Sequence, residues 1–354
     1  MILYYENTDF LLIKDLEMEK KMLLTNILSL LIFPAVVLFD LKVEKRNDVI
    51  NVSDSNIMKG VAAMFILFAH FYNQLSGMTD IGIGKAWLYM GGVGVCIFFF
   101  LSGYGLNRSD SIQKPGFIVK RLKSVLIPFI IIRCICFLIN YPFKDKEITF
   151  FVGYILGLLE PQWFVSVILI IYIGYYVCYK MFGRKRLNYT VFLYNVGIGI
   201  LFFLLGADPR WYNAHLLFSV GMIVADYNDS VINALKRINW WLVNVIIGGG
   251  FFCFAILFST NKGCWWSIVF KLVSGMLVCL LFMNLFLRVR FRSNVIQWIG
   301  QNSLLFYIIH LQILGMPFMH RVGMEWYLLE GLLITVICIS CYNVLKKLFN
   351  LVRT

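Results

Sequence analysis

Charged side chains are scarce in this sequence: Asp, Glu, Lys and Arg make up 14% of its 354 residues. A water-soluble chain of that length carries about a quarter. With 60% hydrophobic residues, the apolar surface must face lipid, the one solvent abundant enough to accept it. A soluble globular enzyme, a disordered scaffold and a secreted disulfide module are thereby excluded. Only four histidines occur, and neither HExxH, GxSxG nor a cluster with zinc-ligand spacing is found, so no metal site is expected. The nine cysteines are an odd count. Cys96, Cys134, Cys136, Cys178, Cys253, Cys279, Cys338 and Cys341 fall inside apolar runs and read as packing residues. No loop exceeds about twenty residues, so no extramembrane domain is expected.

What is present is a series of long apolar runs with a mean hydropathy of +0.79 over the chain. They lie near Leu23–Phe39, Ile57–Gly77, Trp87–Leu106, Val125–Tyr141, Gln162–Phe182, Tyr189–Leu205, Tyr212–Ala225, Trp241–Ser259, Trp265–Leu287, Val295–Met316 and Trp326–Leu345. Runs of about 20 residues suit membrane-crossing helices and are too continuous for barrel strands. A further stretch, Ile148–Leu159, is too short to cross and reads as re-entrant or interfacial. The expected fold is an all-α integral membrane protein: a bundle of about 10 core transmembrane helices, one N-terminal helix and a short re-entrant segment. Residues 1–55 form the N-terminal extension, 56–346 the core and 347–354 a cytoplasmic tail. The N-terminal run lacks a small-x-small exit and reads as an uncleaved helix, with Met18 or Met22 as alternative starts.

The net charge of +13 would suggest nucleic acid in a soluble protein. In a membrane protein it is explained by basic cytoplasmic loops beside anionic lipid, and no nucleic-acid partner is expected. With eleven crossings, roughly two thirds of the Lys and Arg residues fall on one side, while a twelfth at Ile148–Leu159 would invert every later loop. Arg133 and Lys271 remain within spans.

Ionisable groups at membrane depth are costly and mark function by default. In the second span Lys59 and His70 are eleven residues apart, which returns them to one helical face, with Asn73 and Gln74 just beyond. In the run from Gly300 to His310, the residues Ser303, Tyr307 and His310 share a face by the i, i+4, i+7 rule. Both helices run from inside to outside, and the two histidines fall at similar depth. The ordinary alternatives are a buried polar His70 and a snorkelling Lys59. His215 and His320 read as structural. Gly91, Gly92 and Gly94 lack a strand–helix context and read as helix-packing residues rather than a dinucleotide site. Cys338 and Cys341 match CxxC in letters only.

These residues occur in an ordered set. Lys59-Gly60 through His70 is followed by Gly92-Val93-Gly94-Val95 with Phe98 to Tyr104, then Lys120-Arg121 before Pro128. Gln162 to Val165, Phe218 to Met222 and Gly300 to His310 complete it. From about Asn56 to Leu345 the chain resembles the acyltransferase 3 family of bacterial integral membrane proteins. It departs from common members in having Lys59 for Arg, Ser124 for a second Arg and Ile168 for a Glu. The resemblance implies transfer of an acetyl or other short acyl group from cytoplasmic acyl-CoA to a hydroxyl of a cell-surface or lipid-linked glycan, in the bacterial cell membrane.

No permanently bound cofactor is implied; acetyl-CoA, or another acyl-CoA such as the succinyl thioester, is the donor substrate. Arg108, Lys114, Lys120, Arg121 and Lys123 form a cytoplasmic cluster suited to its phosphates, or are ordinary positive-inside charges. Lys59, Arg121, Lys123, Ser102 and Arg133 are the candidate donor-binding residues. Asn73, Gln74, Trp163 and Ser303 are the candidate acceptor-binding residues. His70 is the candidate general base. His310 with Tyr307 either orients the acceptor or stabilises an oxyanion, and a covalent acyl-histidine relay is an open variant. The partners expected are acyl-CoA, a glycan or lipid-linked acceptor and the bilayer; no oligomeric state follows. The alternative is a multi-span transporter or flippase for a glycan or lipid-linked precursor. Against it, neither internal repeats nor matched broken spans are found.

Overall fold

The computed structural model describes residues 2–46, 48–77, 80–140, 148–155, 163–261, 264–314 and 324–352. Apolar runs become helices because lipid offers no hydrogen-bond partners, so each backbone must satisfy itself. Thirteen α-helices are found among the described residues. They are α1 (Ile2–Leu38), α2 (Val52–Ser76), α3 (Lys85–Arg108), α4 (Phe117–Asn140), α5 (Ile148–Ile155), α6 (Trp163–Leu204) and α7 (Leu217–Asp226). The series continues with α8 (Asn228–Arg237), α9 (Trp240–Thr260), α10 (Trp266–Phe286), α11 (Asn294–Gln301), α12 (Ser303–Leu314) and α13 (Met324–Val352). Six segments are long and apolar enough to cross a membrane: Glu19–Leu38, Val52–Ser76, Gly82–Arg108, Trp163–Leu204, Trp240–Thr260 and Trp266–Phe286. The protein is therefore all-α and multi-pass. Tyr141, residues 156–159, Gln162, Met316 and His320 lie outside the described residues.

The two runs expected at Gln162–Phe182 and Tyr189–Leu205 are joined through Gly183, whose φ of 71° and ψ of −179° interrupt α6. The chain doubles back there. Tyr194 Oη donates to the Ile170 carbonyl at 3.1 Å, whereas 24 residues of straight helix would separate them by about 36 Å. No loop is needed, because a glycine in the left-handed region makes the turn in one residue. As a helix of eight residues, α5 spans about 12 Å, too short to cross.

Two features hold α2 in place from its N-terminal end. Asn51 and Asp54 form a reciprocal capping box. The Asp54 carboxylate also receives both terminal nitrogens of Arg46 at 2.8 Å, with both side chains almost fully buried. Just upstream, β1 (Leu41–Val43) pairs antiparallel with β2 (Val289–Phe291), Lys42 opposite Arg290. This ribbon ties the α1–α2 connection to the α10–α11 connection, and the apolar pattern gave no sign of it. From the other side α1 is stitched on by Trp87 Nε1, which donates to Ser29 Oγ at 3.1 Å, and by Ser29 Oγ and Tyr72 Oη, 2.8 Å apart.

Helices α2 and α3 form the centre, flanked by α7, α10, α11 and α12. Two crossings are backbone-close. A Cβ at Gly300 would collide with the Asn56 carbonyl, and one at Gly60 with the Ile296 carbonyl; Gly103 and Gly221 stand in the same relation to the Phe218 and Phe100 carbonyls. Small residues at such crossings let helices approach where lipid supplies no driving force of its own. They set α2 against α11, and hence against α12, at a fixed height. By contrast α9 is mostly exposed along its length and faces lipid.

Candidate active site

Helices α2, α3, α6 and α12 each line both of two neighbouring cavities. The inner cavity, about 320 Å³, is bounded by Lys59 on α2, by Phe98, Leu101 and Ser102 on α3, by Phe164, Ile168 and Tyr172 on α6, by Arg121 on α4 and by Ser303 and Tyr307 on α12. The outer cavity, about 590 Å³, is bounded by His70, Asn73 and Gln74 on α2, by Tyr89 and Gly92 on α3, by Trp163 on α6, and by Tyr307 and Gln312 on α12. Lys271 of α10, Phe258 of α9 and the loop residues Arg210 and Asn213 complete it. Because α2 returns to the same face after eleven residues, Lys59 and His70 mark the two levels, about 16 Å apart along the axis. Tyr307 lines both cavities and stands between them.

The two histidines expected to share a depth meet: His70 Nδ1 lies 2.8 Å from His310 Nε2, with the rings stacked at 5.1 Å and 20°. Hydrogen-bond chemistry fixes the protons. His310 Nδ1 is 2.6 Å from the Phe306 carbonyl, which can only accept, so Nδ1 carries the hydrogen. A neutral His310 then presents a lone pair at Nε2, and His70 must donate from Nδ1. The remaining ring nitrogen, His70 Nε2, holds the free lone pair of the relay and belongs to a ring that lines the outer cavity. His310 is 1% exposed and lines neither cavity. Its polar partners are the His70 ring and the Phe306 carbonyl.

The other expected residues divide. Lys59, Arg121 and Ser102 gather at the inner cavity, and Asn73, Gln74 and Trp163 at the outer one. Ser303, expected on the acceptor side, lines the inner cavity, because it is one turn below Tyr307 on α12. Lys123 is exposed and lines neither cavity; two residues from Arg121, it sits about 200° around α4. Arg133 does not line the inner cavity either. It is fully buried toward α5, with its guanidinium 3.8 Å from the Tyr154 ring centre and 5.8 Å from that of Phe129. Tyr154 in turn donates to Gln312 Oε1 at 2.6 Å, so this stack supports the outer cavity from behind. His215 bridges the carbonyls of Asn195 at 2.7 Å and Tyr212 at 3.1 Å and is structural, as expected.

Sequence reasoning did not assign Tyr89, Arg210, Asn213, Lys271 or Gln312 to the site. Lys271 alone carried a signal, as a charge inside an apolar run. Arg210 belongs to an outer loop, where it grips Asp208 through Nε and Nη2 at 2.8 and 2.9 Å. That grip holds the Asp208 carboxyl below its ordinary pKa.

A cationic, hydroxyl-lined inner chamber opposite an outer chamber with a polarised imidazole suits group transfer across a membrane. A family model described as an acyltransferase domain, acyltransferase 3, matches residues 52–344. The chain belongs to the acyltransferase 3 family. No curated protein and no solved structure matches it. Membership in the acyltransferase 3 family makes the chain a membrane acyltransferase, with an acyl donor, an acceptor and the bilayer as its partners.

Proposed function

We propose that this acyltransferase carries an acetyl or other short acyl group from acyl-CoA, bound at the inner cavity, to a hydroxyl of a cell-surface or lipid-linked glycan at the outer cavity, in the bacterial cytoplasmic membrane. The observation that carries the reading is the Phe306–His310–His70 relay, which ends in a free Nε2 at the outer cavity. In this reading Lys59 and Arg121 hold the donor's phosphates, with Phe98, Leu101 and Phe164 against its apolar arm. The thioester reaches past Tyr307. His70 Nε2 takes the acceptor's hydroxyl proton as the oxygen attacks the thioester carbon. Collapse of the tetrahedral intermediate breaks the C–S bond, and the imidazolium returns the proton to the departing sulfur. His310 holds the tautomer and shares the transient charge. Asn73, Gln74 and Asn213, with the Trp163 face, provide the mixed amide and aromatic lining that a sugar needs.

The test uses purified full-length protein in nanodiscs with labelled acetyl-CoA, and cells in which surface acetyl esters are counted. Release of coenzyme A coupled to ester formation, lost in His70→Ala, is expected. Wild-type ester levels in His70→Ala would remove the base assignment. Glycan movement without thioester cleavage would make the protein a transporter instead.

A further inference from the structure

The outer cavity holds a cation that the transfer chemistry above does not use. Lys271 lies five residues into α10, about 7.5 Å from its start, at a depth close to that of His70, which is about 9 Å from the end of α2. Its amine lies between two helices. A Cβ added at Gly92 of α3 would come within 2.9 Å of both Lys271 Cε and Nζ, so glycine there leaves the space the amine occupies. On the other side the ammonium stands 5.7 Å from the Phe258 ring centre. The lysine's own turn is pinned: Ser274 Oγ donates to the Lys271 carbonyl at 2.9 Å, and Tyr89 Oη donates to Ser274 Oγ at 2.6 Å.

Among the described residues no carboxylate lines the outer cavity and the Lys271 amine has neither an ion-pair nor a hydrogen-bond partner; the Asp208 carboxylate acts on it only at longer range. The other cation at the cavity, Arg210, is already neutralised by Asp208. An ammonium at membrane depth is costly unless it faces a counter-charge or a wet cavity. Here it faces the chamber where the acceptor is proposed to sit.

The geometry points to an anionic acceptor: the glycan or lipid-linked sugar that enters the outer cavity carries a phosphate or carboxylate, and Lys271 binds it. This rests on the acyltransferase reading and narrows its acceptor to polyols and sugars with an oxyanion near the accepting hydroxyl. An anion so held would fix which hydroxyl is presented to His70.

The test is equilibrium binding to the full-length protein in nanodiscs, independent of turnover. The probes are methyl glucoside, methyl glucuronide and methyl glucoside 6-phosphate. Wild-type protein is expected to bind one or both anionic probes about ten- to a hundredfold more tightly than the neutral one, as a charge-assisted hydrogen bond implies. Lys271→Gln should abolish the preference and Lys271→Arg should restore most of it. Equal wild-type affinity for all three probes overturns the proposal without any variant having to fold. So does a preference that survives Lys271→Gln. Transfer to the neutral probe from acetyl- and succinyl-CoA separates a second source of negative charge: Lys271 dependence seen only with the succinyl donor places the anion on the acyl chain and overturns the proposal. An anionic preference without transfer from any acyl-CoA leaves this inference standing and refutes the acyltransferase mechanism.

Discussion

Replacing His310 by leucine removes the acceptor for the His70 Nδ1 hydrogen and leaves His70 itself in the cavity. Before proton transfer that bond joins two neutral rings and is worth about 1 kcal/mol; once His70 carries the extra proton it is charge-assisted and worth about 1.5–3 kcal/mol. The difference, about 0.5–2 kcal/mol, stabilises only the protonated state and corresponds to about a two- to thirtyfold loss of rate. Deleting His70 removes the base and is expected to cost about 10²–10⁴. Single-turnover transfer in nanodiscs measures both. Imidazole supplied in solution separates the roles further. His70 lines a cavity of about 590 Å³, whereas His310 is buried behind it, so added imidazole should rescue His70→Ala and leave His310→Leu unchanged. A His310→Leu loss as deep as that of His70→Ala, or rescue of the His310 variant alone, refutes the ordered relay.

Three further outcomes are expected. Tyr307→Ala should merge the two cavities it separates and raise acyl-CoA hydrolysis relative to transfer severalfold; an unchanged ratio of free acid to ester counts against a partition at Tyr307. Arg121→Gln should raise KM for acyl-CoA by about ten- to a hundredfold with a smaller effect on kcat, the loss of one charge-assisted contact, and should weaken the dependence of KM on salt. Asp54→Ala removes the bidentate partner of the buried Arg46, leaving only Asp48 at 3.8 Å, and breaks the α2 capping box, a loss of up to about 3–5 kcal/mol that thermal unfolding in detergent should reveal as a clearly lower Tm.

Much of the frame was legible because lipid imposes one rule, continuous apolar helices; most of the apolar runs fall on helices where the residues are described, but Tyr212 to Leu216 is turn and the run from Val295 is split at Asn302 into α11 and α12. Depth was legible as well: counting residues from the starts of two spans placed His70 and His310 at one level, and the rings touch. Azimuth was legible only where a period applied, as for Lys59 and His70. It failed where a residue was taken by its charge, as for Lys123 and Arg133, since charge does not say which neighbour a helix turns it toward. Ser303 borders the inner cavity rather than the one with His70, since sharing a face with His310 says nothing about which cavity that part of the face borders. The hairpin at Gly183, the β1–β2 ribbon and the Arg210–Asp208 pair depend on backbone dihedrals and on contacts between distant segments, which no local pattern encodes.

The central claim is that donor and acceptor enter opposite chambers and meet at His70. Its most direct test is a cryo-electron microscopy structure of the full-length protein in nanodiscs with a thioether analogue of acetyl-CoA. The account predicts the nucleotide phosphates at Lys59 and Arg121 and the acyl end beyond Tyr307, in contact with the His70 ring. A nucleotide seated in the outer cavity, or an acyl end directed away from His70 toward the lipid, would contradict it.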